Sequence, residues 1–247
     1  MKRVVLVIAG FIIVGMTITL SAPSAIEWME RRAAIARQEG VELPPVQERV
    51  SSSATSAAIR TAVNWDVPFT SQAPLGVWDP DHKEVCEEAS ILMVLRYFEG
   101  RPFASPEEAD SALIALVRAN EDLGYAVDTT AAQVRTLLLS QNQDLSAELL
   151  HNPSVDDLKR VLSDGKLVIV PAQGQFLGNP YFQNPGPPYH MLVLRGFTDE
   201  GMVITNDPGT KRGEQFAYSF ETLMNAMHDW NDGDVENGAK TVLVVGE

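Results

Sequence analysis

The chain is 247 residues long, 45% hydrophobic and 21% charged, enough for one large domain or two small ones with a real core. Its 19 Lys and Arg stand against 33 Asp and Glu, a net charge of -14, which argues against nucleic acid or an anionic lipid surface as a main partner. At the N-terminus, Lys2 and Arg3 precede an apolar run from Val4 to Leu20 and then the small residues Ser21 to Ala25. Residues 1–25 therefore read as a secretory signal peptide cleaved after Ser24 or Ala25, or as an N-terminal membrane anchor with its basic end in the cytoplasm. Either reading makes the bulk of the protein exported and extracytoplasmic, secreted or tethered to the membrane.

Residues 26–63 read as a stalk or linker. Ile26 to Glu39 is a charged helical stretch, Gly40, Pro44 and Pro45 end it, and Ser51 to Ala58 is of low complexity. From Asn64 to Glu247 the composition is that of one compact domain. Its first half is helical. The run WDPDHKEVCEEASILMVLRYFEG passes from loop into a helix at about Val85 to Phe98, closed by Gly100. Ser105-Pro106-Glu107-Glu108 is an N-cap with Pro at the first helical position, and it launches a helix through about Asn120. Thr130 with Gln133 opens another, through Ser140, and Ser154 caps a short one that stops at Gly165.

The second half is β-rich. Lys166 to Pro171 is a buried-type strand. A Gly/Pro/Asn loop follows, then His190 with the strand MLVLRGF, a turn at Thr198 to Gly201, and the strand MVITNDP. Those two strands should form a hairpin. Ser219 caps a helix through about Trp230, and Lys240 to Val245 is a final strand. Helices first and strands second make the expected class α+β.

The chain has one cysteine, Cys86, at the start of the first of these helices. Unpaired backbone N–H groups there favour a nucleophilic thiolate, and an odd thiol in an exported protein needs a reason. As a plain structural residue, Cys86 is a small buried hydrophobe. A tight turn near Thr198–Asp199 sets His190 opposite Asp207 on one sheet face, within one or two positions. A carboxylate there would hold the imidazole in one tautomer and leave its other nitrogen for a thiol. The plain readings are a polar strand-edge histidine and a turn-forming Asp in TNDPGT. Asn206 should point to the other face. Of the remaining histidines, His82 reads as solvated, His151 as a loop residue and His228 as late in its helix. Trp65, Trp78 and Trp230 read as core or cleft lining, with core preferred. One cysteine and four scattered histidines give no metal-binding spacing, and there is no P-loop or dinucleotide fingerprint, so neither metal nor cofactor is expected.

The strings VPFTSQAPLGVW, VCEEASILMVL, YHMLVLRGF and ITNDPGT resemble the papain-like cysteine peptidases related to the bacteriocin-processing, double-glycine leader peptidases (a peptidase C39-like domain). The likeness covers most of Asn64 to Val245, and the order Gln, Cys, His, Asp is its most specific part. It implies a helical half carrying the cysteine, packed on an antiparallel sheet half carrying His and Asp, with a cleft between them. Cys86 would be the nucleophile, His190 the general acid/base, Asp207 the orienting carboxylate and Gln72 the oxyanion donor; read alone, Gln72 is a loop glutamine. The implied partner is a peptide or protein substrate.

Three departures from the processors stand out. Glu87 and Glu88 follow the cysteine where those enzymes usually have Gly, and an acidic pair opposes a nearby thiolate. Their transporter domains are not in this sequence. The loop from Gln173 to Tyr189 should overhang the cleft. The expectation is an exported thiol hydrolase acting on a peptide or amide bond, against two alternatives: a catalytically inactive peptide-binding or adhesion domain, and a transglutaminase-like acyl transferase.

Overall fold

The computed structural model describes residues 25–49 and 59–247. The apolar segment read as signal or anchor, and the low-complexity stretch from Ser51, lie outside the described residues. Among the described residues no helix is long and apolar enough to cross a membrane.

The helix carrying the cysteine, α2 (Cys86–Glu99), follows α1 (Ala25–Glu39). Every residue of α2 from Cys86 to Phe98 is buried, as expected of a helix apolar nearly all round. It ends on Gly100, whose φ of 66° is the left-handed conformation that closes helices. Next come α3 (Pro106–Asp122) and α4 (Ala131–Gln141). Ser105 Oγ accepts from the Glu108 N–H, and Thr130 and Gln133 form a full capping box, so polar side chains satisfy orphan first-turn donors. Helix α5 (Val155–Ser163) has the same box from Ser154 and Asp157. Helix α2 packs against α3 and α4 on one side and against the sheet on the other.

That sheet contains β1 (Val63–Asn64), β2 (Ser146–His151), β3 (Leu167–Ala172), β4 (His190–Phe197), β5 (Met202–Asn206), β6 (Phe216–Ser219) and β7 (Thr241–Gly246). Six strands run in the order β2-β7-β3-β4-β5-β6, and β1 pairs with the far end of β4. Every pair is antiparallel. Strands β3, β4 and β7 are buried along their whole length, the mark of a sheet covered on both faces. Two short helices complete the domain, α6 (Gly174–Leu177) and α7 (Phe220–Ala226). The α+β class and its division into helical and sheet halves are as expected.

The segment before the domain is not detached from it. Gln38 Oε1 accepts from the Ala217 N–H, Gln47 bridges to Trp65, and Arg60 N–H donates to Ser163 Oγ.

The hairpin register differs from expectation. Phe197 faces Val203 and Gly196 faces Ile204, but Leu194 faces Thr205, so Arg195 is an extra residue on its strand. This bulge and a wider turn through Gly201 (φ 84°) move the ladder. Val193 then pairs with Asn206, and Asp207 lies beyond the last rung. Gly196 is required where β1 crosses: a Cβ there would lie 2.0 Å from the Val63 carbonyl oxygen.

Other local expectations are corrected. Residues 146–151 form β2, so His151 ends a strand, with its Nδ1 3.0 Å from Thr241 Oγ1. Helix α7 stops at Ala226, because Met227 and His228 turn back to bridge Ala172 and donate to Pro171 O. His228 therefore lies past its helix. His82 is not solvated. It is held between Asp79 (2.7 Å) and Asp110 (3.0 Å), and although burial opposes its charge, the two carboxylates raise its pKa. Trp65 is core, with its indole N–H on Leu162 O, whereas Trp78 and Trp230 are half-buried.

Candidate active site

Cys86 is the first residue of α2 and is 6% exposed. Val85 caps the helix without a side-chain bond. The carboxyl of Glu87 is engaged by the Cys86 thiol and the Thr129 N–H, and no side chain caps the first turn, where the Cys86 N–H is one of the orphan donors of the helix start. Helix α2 packs on β4, and the Met191 backbone N–H faces the sulfur and favours its anion. The thiol thus sits against the very start of the strand that opens with His190.

His190 and Asp207 meet although they are not rungs of one ladder. His190 Nε2 lies 2.8 Å from Asp207 Oδ1, and the two side chains are 2% and 0% exposed. Asp207 reaches the ring because the chain turns sharply after β5, with the Asp207 N–H on the Gly213 carbonyl. That turn is tight enough that a Cβ at Gly213 would fall 1.7 Å from Asp207 O. Its carboxylate also accepts from Gly209 N–H (3.0 Å), Asn179 Nδ2 (3.0 Å) and Tyr218 Oη (2.6 Å). Burial pushes the Asp207 carboxyl up, but the charge and hydrogen bond of His190, with the Tyr218 and Gly209 donors, outweigh it and hold the group below its ordinary range. With Nε2 engaged by a carboxylate, Nδ1 is the nitrogen left for a thiol. The ring is further fixed by Phe182, edge-on at 5.2 Å between centroids, and by Gly209, where a Cβ would lie 2.9 Å from His190 Cε1.

Gln72 is buried on the loop before α2. Its backbone N–H donates to Pro208 O, and Nε2 donates to His82 O at 2.9 Å. These bonds pin it between the approach to the cysteine and the turn of Asp207, with one amide hydrogen still to give. Asn206 turns away, as expected, accepting from Arg195 and donating to Val67 O.

The thiol itself departs from expectation. Cys86 Sγ donates to Glu87 Oε2 at 3.0 Å, and burial, with the Glu87 charge second, pushes its pKa well above the ordinary value. Burial and the adjacent carboxylate outweigh the favourable start of the helix. Glu87 is pushed up to about 8 by burial and by the charge of Glu88, and Glu88 to about 7 by burial. Sequence reasoning also passed over Asn179, Tyr218 and Tyr189. Tyr218 stands in a four-residue strand and Asn179 in a Gly/Pro-rich loop, so neither carries a local signal.

The matching family model is described as the Peptidase_C39 like family and covers residues 65–232. Among solved structures, the chain is similar to a Bacillus anthracis protein described as a C39-like peptidase, at 17% identity and a TM-score of 0.50, over 75% of this chain and 98% of that one. It is also similar to a prointerpain A fragment of Prevotella intermedia (12% identity, TM-score 0.45, 89% and 82% covered) and to the interpain A cysteine protease of the same organism (12%, 0.44, 74% and 94%). No curated protein matches the chain. The first structural likeness concerns the fold alone, an α+β arrangement of helices on an antiparallel sheet.

Proposed function

Because the chain belongs to the Peptidase_C39 like family, we propose that it is a cysteine peptidase whose nucleophile is Cys86. One observation carries this reading: the buried His190–Asp207 pair, 2.8 Å apart, at the strand start whose next N–H faces the only sulfur nucleophile of the chain. His190 takes the thiol proton, and Cys86 Sγ attacks the substrate carbonyl carbon. The Cys86 N–H and Gln72 Nε2 donate to the oxygen that becomes negative. His190 then protonates the departing amine, and water releases the acyl group from sulfur. Asp207 keeps the imidazole in the required tautomer throughout.

The protein, as the full chain, should be alkylated at Cys86 by iodoacetamide near neutral pH about a hundredfold faster than its His190→Ala variant, and should turn over peptides. Equal labelling rates together with no turnover from a diverse peptide library would defeat the reading. That outcome would instead support a peptide-binding domain without catalysis, which the raised thiol pKa and its Glu87 contact favour.

We further propose export, supported by Lys2, Arg3 and the apolar run to Leu20. Sequencing the N-terminus of the mature protein from an extracytoplasmic fraction checks this. A start near Ile26 means a cleaved signal, an intact Met1 in the membrane fraction means an anchor, and recovery from the cytosol alone rejects export.

A further inference from the structure

Between the nucleophile and the histidine lies a second arrangement that the peptidase chemistry does not use. Glu87 is 1% exposed. One of its carboxyl oxygens accepts from the Cys86 thiol at 3.0 Å, and the other accepts from the Thr129 N–H at 3.1 Å. On its far side, the Thr129 carbonyl accepts from Tyr189 Oη at 2.8 Å. Thus the neighbour of Cys86 and the neighbour of His190 grip the same residue from opposite sides, and Glu87 has no freedom to swing away from the sulfur. A carboxylate held in this way at a thiol forms a pair that shares protons rather than two independent acids.

We propose that Glu87 and Cys86 form a proton-sharing dyad in which the Glu87 carboxylate restrains the nucleophile as a thiol, with Thr129 and Tyr189 fixing it there. Glu87 is a positioning residue in this scheme, and the proposal rests on the reading of Cys86 as nucleophile. When the thiol ionises, its proton leaves sulfur for the imidazole. The thiolate left behind then faces an anion at Glu87 if that group is ionised, and a neutral acid if it is protonated. Of the surrounding groups, Glu88 on the same helix raises both members of the pair. Tyr189, just before β4, feels the charge of both and of Asp229, whose Oδ1 lies 3.5 Å from its Oη. His190, next along, is paired with Asp207. Glu88 adds to the restraint when ionised, whereas Tyr189, its pKa pushed well above the ordinary value by burial, stays a neutral phenol.

Glu87→Gln is nearly isosteric and can still accept from Thr129. The rate of Cys86 alkylation by iodoacetamide is measured against pH for the full chain and for this variant. Glu87 is pushed up to about 8, so at lower pH it is mostly protonated in the natural protein, and the two curves should agree. Above that point the carboxylate opposes the thiolate only in the natural protein. The variant should then react about tenfold faster, the equivalent of one unit of thiol pKa. A loss of packing alone would change rates without moving the midpoint. Superposed curves, or a variant slower above that point, would overturn the proposal.

If Glu87→Gln fails to fold, the unmodified chain still answers. Cys86 is the sole cysteine, so the ultraviolet thiolate absorbance lost in Cys86→Ala reports this group alone. A midpoint well above the free value of about 8.5 is expected, and one at or below it would overturn the dyad. Failure of the underlying peptidase reading looks different: it is absence of turnover and indifference of labelling to His190, whatever Glu87 does.

Discussion

Asp207→Asn should lower kcat/KM for peptide hydrolysis by about 10⁴-fold, the scale set by misorienting a catalytic imidazole through its carboxylate partner. Four donors converge on this side chain: His190 Nε2 and Gly209 N–H on one oxygen, Asn179 Nδ2 and Tyr218 Oη on the other. An asparagine offers one oxygen and one NH2 group, so two of the four donors must face another donor. If the amide oxygen stays on Asn179 and Tyr218, the NH2 faces His190, and the ring proton is driven to Nδ1. The nitrogen left for the thiol then carries a proton and cannot accept one. If the amide turns the other way, Tyr218 is left buried against a donor. Steady-state kinetics on a peptide substrate checks this, with thermal unfolding as the control for folding. A loss smaller than about tenfold would mean that Asp207 does not orient the imidazole.

Arg195→Ala should cost about 3 kcal/mol of folding stability, from buried acceptors that lose a donor, at about 1–3 kcal/mol for each left unsatisfied, and from the packing lost with the side chain, read from the denaturant midpoint at unchanged slope. Arg195 is 1% exposed and occupies the bulge of β4. Its guanidinium donates to Asn64 Oδ1 and Val67 O at 3.1 Å each and to Asn206 Oδ1 at 3.2 Å. It thereby ties β1 and the loop to Gln72 onto the hairpin that ends at Asp207. Burial lowers its pKa to about 10, with the charges of Glu214 and Asp66 opposing that shift. Truncation leaves three acceptors without this donor and a large void. A cost under about 1 kcal/mol would show that these acceptors find other partners.

Local chemistry made most of the helical half legible. Ser105, Thr130 and Ser154 announce their helices because each side-chain oxygen meets the third N–H of the turn it precedes, and the bonds are present in the fold. The largely apolar run from Ala89 to Leu95 announced an apolar helix in the same way. The sheet was legible where strands are long and apolar, as in β3, β4 and β7. It was not legible at β2 and β6, whose six and four residues gain their strand character from neighbours rather than from pattern. The register of the hairpin was beyond reach because a bulge is a two-strand property, set here by a buried arginine whose partners lie far away in the chain. Cys86, His190, Asp207 and Gln72 were visible as residue types in order. The grip of Glu87 on the thiol was visible only as an acidic neighbour, since Thr129 and Tyr189, which hold it in place, are 42 and 102 positions away.

The seat of β7 between β2 and β3 has a bearing on how the molecule is made. Strands β4, β5 and β6 are sequential neighbours and can associate as soon as they are synthesised, whereas among the described residues β2 has no partner other than β7. The helical region ahead of residue 146 and the hairpins after it therefore await residues 241–246 before one continuous sheet joins them. Such late, distant pairing is the slow kind, so the nascent chain carries an unpaired strand from residue 151 until residue 241 is made, and the final six-residue strand is the closing wedge of the domain.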